Sequence, residues 1–220
     1  MRQRFLVLIL WTVLTPALLW SQGRGSGKSG PRPLLPRDTE IALARSAAPP
    51  SVSAGARVFV LTDRGYQVAD SGTTTAACYV SRSWPASLEP HCFDEEGART
   101  ILLMDMKRVE LLAAGRAPDA VEREIADGLI AGHFKLPTRP ALSYMMSCAQ
   151  QLISDDGRPV GKWKAHLMIY YPYLTETAVG LARGPDLRAA VVVDPGMPSS
   201  NIMIPVAEFI APNQPAVCSP

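Results

Sequence analysis

ILLMDMKRVELLAAGRAPDAVEREIADGLIAG, residues 101–132, decides the fold, because it carries helical periodicity between two strand-rich regions. Leu102, Met106, Val109 and Ala113 fall on one stripe of a segment, Ile101 to Ala114, that is apolar almost all round, so this helix is buried and stops at Gly115. Pro118 and Asp119 open a second helix. Its Val121, Ile125 and Leu129 recur at helical spacing while Glu122, Arg123, Glu124 and Asp127 face elsewhere, and Gly132 closes it.

Upstream, Asp38 and Thr39 offer caps for a short helix over Glu40 to Ala47 that Pro49-Pro50 ends. Arg57 to Leu61 and Tyr66 to Val68 then flank Asp63-Arg64-Gly65, hairpin chemistry in which glycine supplies the positive φ. Further strands run near Ala76 to Ser81 and His91 to Phe93, before a turn at Glu95-Glu96-Gly97, so this half reads as an antiparallel meander. Beyond Pro137 and Pro140, strands are expected at Leu142 to Ser147, Gln151 to Ser154, Ala165 to Tyr171, Ala189 to Val193 and Ile202 to Val206. Asp155-Asp156-Gly157 and Pro195-Gly196 mark turns among them. Strands, a helical pair and strands again predict an α+β fold. It would be a single domain over residues 37–220, mainly antiparallel sheet with a central helical pair and a short N-terminal helix.

Ahead of this domain, Arg2 and Arg4 precede the uncharged run Phe5 to Trp20, and Ser21 supplies a small residue for cleavage before Gln22. This is the pattern of a signal peptide over residues 1–21, which predicts a secreted or periplasmic protein. The alternative is a retained anchor, but at 1.5 Å per residue the run reaches about 24 Å, short of a ~30 Å hydrocarbon core. No stable membrane span is therefore expected after cleavage. Residues 22–36, rich in Gly, Ser and Pro, read as a flexible linker. The Gly and Lys of Gly27-Lys28-Ser29 suggest a phosphate loop, but the glycine required five positions before Gly27 is Gln22.

The chain has 22 Lys and Arg against 20 Asp and Glu, and loss of Arg2 and Arg4 balances it. Balance argues against a nucleic-acid partner, and with export it argues against reading the helical pair as a DNA-binding helix-turn-helix. The four cysteines, Cys78, Cys92, Cys148 and Cys218, would pair in an oxidising compartment, with three connectivities open. Cys78 with Cys92 is favoured, because each lies in a short strand-like run and the residues between are turn-rich; Cys148 with Cys218 follows by elimination. No pair has the close spacing of zinc ligands, so no metal and no cofactor are expected.

His166 is the leading site candidate. Strand alternation places it with Met168 and Tyr170 on one face, where an imidazole beside a thioether and a phenol suits haem or copper binding or general-base chemistry. The plainer account is a histidine satisfied by a backbone carbonyl near a sheet end. His91 adjoins Cys92, and His133 sits at a helix end where the dipole favours a cation. The acidic runs Asp94-Glu95-Glu96 and Asp155-Asp156 read as solvated turns, and the scattered methionines as core filling. Tyr170, Tyr171 and Tyr173 around Pro172 suggest a surface for a sugar or peptide. Neither Gly-x-Ser-x-Gly nor Ser-x-x-Lys occurs.

The segments Glu40 to Pro49, Cys78 to Arg82, His91 to Gly97 and His166 to Tyr173 resemble those of a loose group of uncharacterised secreted bacterial proteins. The resemblance implies no activity, cofactor or catalytic residue. The resulting expectation is an exported domain that binds a small molecule or an envelope partner without catalysis, with His166, Tyr170 and His91 as ligand-binding candidates. The alternatives are a cell-envelope enzyme using His166 in general acid–base chemistry and a structural envelope protein.

Overall fold

The computed structural model describes residues 30–83, 85–154, 158–181 and 189–208. The expected signal, most of the linker, Cys218 and the Asp155-Asp156-Gly157 turn lie outside them.

Period-two alternation of valine, isoleucine and aromatic residues builds an eight-stranded sheet. Its strands are β1 (Arg57–Thr62), β2 (Gly65–Asp70), β3 (Ala77–Ser81), β4 (Glu89–Phe93), β5 (Ala141–Met145), β8 (His166–Tyr170), β9 (Val191–Val193) and β10 (Asn201–Pro205). The spatial order is β2-β1-β3-β4-β5-β8-β10-β9. A separate ribbon pairs β6 (Leu152–Ile153) with β7 (Pro159–Gly161). The helices are α1 (Arg37–Arg45), α4 (Ile101–Ala113), α5 (Pro118–Ile130) and the short α2 (Pro50–Ser53), α3 (Glu95–Ala98) and α6 (Glu176–Val179). The chain is a single α+β domain, as the order of its periodic segments predicts. Among the described residues no helix is long and apolar enough to cross a membrane.

The first half departs from a simple meander. β1 and β2 form the expected hairpin, but β3 lies on the other side of β1 and runs parallel to it. The connection from Ser71 passes the start of β1, where the Thr73 and Thr74 amides donate to the Gly55 carbonyl at 2.8 and 2.9 Å. Gly72 makes the crossing possible: its φ is +66°, and a Cβ there would lie 2.5 Å from the Arg57 nitrogen and 2.6 Å from the Gly55 oxygen.

Strands β3 and β4 are buried at every position, because helices cover both faces. On one face, Leu43, Ala44, Ala47 and Ala48 of α1 and the turn after it pack on Val58, Cys78, Val80 and Cys92. On the other, Ile101, Leu102, Met106, Val109 and Ile125 of α4 and α5 pack on Tyr79, Phe93, Ala141 and Met168. The expected bridge joins Cys78 and Cys92, which are directly opposed in the β3–β4 ladder beneath α1. Cys148 is also disulfide-bonded.

Polar anchors lock α1 to the sheet. Glu40 of α1 and Arg82 after β3 form a twofold ion pair with both side chains fully buried, and Glu40 Oε1 also accepts the Leu61 amide at 2.9 Å. Within the segment read as linker, residues 30–36 lie against the domain: Arg32 is buried and donates to the Arg82 carbonyl, and Arg82 Nε donates to the Pro33 carbonyl.

The acidic run at Asp94-Glu95-Glu96 is not a solvated turn. Asp94 caps α3 by accepting the Gly97 amide, and Glu96 is fully buried. Burial alone would raise the Glu96 pKa, but the Thr138 amide at 2.7 Å and donors from Arg99 and Arg139 hold it down to about 2. The partners arrive from the loop before β5, which a local reading cannot supply.

Candidate functional site

α4 and α5 pack over Tyr79 of β3, Phe93 of β4, Ala141 of β5 and Met168 of β8, while β10 and β9 carry the sheet further. A cleft of about 550 Å³ opens between the sheet and the two helices. Its floor follows from ladder register. Tyr79 stands opposite His91, Met145 opposite His166, Met168 opposite Met203, and Tyr170 opposite Asn201. Alternation then turns all of these toward the helices, together with Glu89, two residues before His91 on β4. The helix wall presents Asp105, Arg108 and Val109 from α4 and Val121 and Glu122 from α5, with Trp163 on the approach to β8.

The three candidates His166, Tyr170 and His91 all line this one cleft. His166 is buried, and its Nδ1 lies 2.5 Å from the Lys164 carbonyl. A carbonyl only accepts, so Nδ1 carries the proton and Nε2 of the neutral ring is an acceptor. The backbone-satisfied histidine and the cleft-lining histidine are thus the same residue, one nitrogen serving each purpose. His91 is buried as well, and its Nδ1 has no hydrogen-bond partner. It packs between Tyr79, edge-on at 5.6 Å, and Phe93, stacked at 5.8 Å. Burial, and then the charge His166 would carry, push the His91 pKa down to about 3. Burial likewise lowers His166, with the Lys164 carbonyl partly opposing it. The Tyr170 hydroxyl donates to Met168 Sδ at 3.4 Å.

Glu89 is the group that the sequence reading missed. Its carboxyl is buried, accepts the Ser83 amide at 3.1 Å, and has its pKa raised by burial against the opposing donors of Ser83 and Trp163. The signal was the spacing Glu89-Pro90-His91, which puts both side chains on one strand face; Pro90 hid it by marking a break. Asp105 and Arg108, one turn apart in a helix with seven buried apolar residues, were a second signal. Arg108 is committed to its neighbours: Nη1 donates to Asp105 at 2.7 Å, and Nε and Nη2 donate to Glu122 at 2.7 and 3.3 Å.

Other expectations fall elsewhere. His133 is exposed beyond α5, and Tyr171 and Tyr173 are exposed outside the cleft. Met104 and Met106 are core residues, whereas Met145, Met168 and Met203 supply much of the cleft floor. The Cys78–Cys92 bridge lies on the opposite face of the sheet, under α1. Among the described residues, no three His, Cys, Asp or Glu side chains are grouped to hold a metal.

The cleft therefore offers thioether, aliphatic and aromatic surface around a buried carboxyl and two neutral imidazoles. That suits an apolar ligand oriented by a few polar contacts. No protein-family model, curated protein or solved structure matches the chain.

Proposed function

We propose that the protein is an exported domain that binds a small, largely aliphatic ligand in the cleft between the sheet and α4–α5. The observation that carries this reading is the cleft itself: about 550 Å³, floored by Met145, Met168 and Met203, with most of the surface it presents apolar and with Glu89, His91, His166 and Asn201 buried in its walls. That is the composition of a small-molecule site. Export is supported by the apolar run Phe5 to Trp20 and by the Cys78–Cys92 bridge, which persists in an oxidising compartment.

The test is native mass spectrometry of the protein recovered from its host without reductant, followed by titration with the neutral apolar dye N-phenyl-1-naphthylamine. The expected result is a retained organic ligand, or dye binding that Val191→Arg at the cleft rim abolishes. A bare chain that takes up no dye overturns the reading.

A second reading is acid–base catalysis on a cell-envelope substrate. It is favoured by one observation: burial shifts Glu89 toward its protonated form and His91 and His166 toward their neutral forms, which separates a proton donor from two acceptors. Turnover of any bound ligand that His166→Ala abolishes without loss of binding would select it.

A further inference from the structure

The polar groups of the cleft are not clustered at one point. His91 belongs to β4 and Asn201 to β10, three strands away in the sheet order, and the ladder also offsets them along the strands by four positions, since Asn201 pairs with Tyr170 while His166 shares the Met145 row. With strands about 4.8 Å apart and residues about 3.3 Å apart, their Cα atoms are separated by roughly 20 Å. Between them the floor is Met145, Met168 and Met203.

Each end carries the same pair of features. At one, His91 Nδ1 is buried with no hydrogen-bond partner, and the Glu89 carboxyl shares its strand face. At the other, Asn201 Oδ1 is buried with no partner, and Asp194, which follows the Val193 that pairs with Asn201, also lines the cleft. Both side chains are more than nine-tenths buried, His91 at 7% exposure and Asn201 at 4%. An unmet buried polar atom costs free energy until a partner arrives; burial holds Glu89 of the empty cleft toward its protonated form, and a charged N–H donor placed there favours the carboxylate. Among the described lining residues the only Lys or Arg is Arg108, already engaged by Asp105 and Glu122.

We propose that the ligand is an elongated aliphatic diamine or polyamine, with one protonated amine at the Glu89–His91 end and another at the Asp194–Asn201 end of the methionine floor. This rests on the ligand-binding reading above and gives its ligand class. A terminal ammonium supplies three N–H donors, enough to satisfy an orphan acceptor and a carboxylate together.

The experiment is isothermal titration of the disulfide-intact protein with four probes of equal chain length: 1,12-diaminododecane, dodecylamine, 1-dodecanol and dodecanoate, below their micellar concentrations. The diamine is expected to bind most tightly, by about tenfold or more over the monoamine, since a second charged hydrogen-bonded end is gained. Glu89→Gln and Asp194→Asn, each checked for an unchanged melting temperature, should separately bring the diamine down to the affinity of the monoamine, and spermine should displace it. If Asp194→Asn unfolds, Asn201→Leu reads the same end, and if Glu89→Gln unfolds, His91→Leu reads the other. Dodecanol or dodecanoate binding as tightly as the diamine overturns the amine assignment while leaving the apolar-ligand reading intact. Binding by none of the four overturns both.

Discussion

Glu40 and Arg82 meet through two parallel contacts, Nη1 to Oε1 at 3.0 Å and Nη2 to Oε2 at 2.8 Å, with neither side chain exposed to solvent. Removing one partner strands a buried charge, so Glu40→Ala is expected to cost about 3–5 kcal/mol. Glu40→Leu with Arg82→Met should cost much less than either change alone, because both charges leave together. Urea unfolding of the two singles and the double checks this, and a double as unstable as the singles would sink the argument.

The Cys78–Cys92 bridge closes a loop of 14 residues on two central strands. Replacing both cysteines by alanine should lower stability by about 3 kcal/mol under oxidising conditions. Reduction with dithiothreitol should remove that difference, because only the wild type has a bridge to lose at this site. Non-reducing peptide mapping would recover the two cysteines on one linked fragment.

Acid should destabilise the fold in two stages. The His91 pKa falls from 6.5 in an open chain to about 3 in the folded protein, so the unfolded state binds the extra proton and stability drops as pH falls below about 6.5. The slope approaches on the order of 1.4 kcal/mol per pH unit for one such group. Glu96, held down to about 2, gives stability that is present above its ordinary 4.5 and lost as pH falls through that lower range. Glu89, raised by burial, acts in the opposite sense at pH above its ordinary 4.5 and so blunts the upper stage. Urea midpoints between pH 4 and pH 8 should show the upper stage in the wild type and a shallower one in His91→Gln, where His166 still contributes.

Gly72 faces two constraints together, a positive φ and backbone atoms of Gly55 and Arg57 where a side chain would go. Gly72→Ala should therefore destabilise by more than about 1 kcal/mol. Gly115→Ala, at φ +83° but with open space around it, should be the milder change. Thermal melts of the two variants compare space with conformation directly.

Local chemistry made much of this fold legible. Asp63-Arg64-Gly65 specifies the β1–β2 hairpin by itself, and the apolar spacing of residues 101–132 specifies both long helices. What stayed hidden depends on partners distant in sequence. Nothing in Ser71 to Ala76 says on which side of β1 the chain returns. Glu96 looks like a turn residue until Thr138 and Arg139 close over it. Pro90 interrupts a strand pattern, yet the β4–β5 ladder covers only Cys92 and Phe93, so the missing N–H falls where β4 has no neighbour on that side. His166, Tyr170 and His91 were identifiable singly from strand alternation. Their convergence required the β4-β5-β8 order, which no turn signal encodes.

Cys78 and Cys92 alternate along their strands with Tyr79 and His91, so the covalent tie on one face grips the same backbone that presents His91 on the other. The opposite limit of the cleft rests on β9, three half-buried valines that pair, among the described strands, with β10. On the ligand-binding reading, a guest would meet a pre-organised end, where little freedom remains to be lost, and a less constrained end, where ordering on binding would cost more.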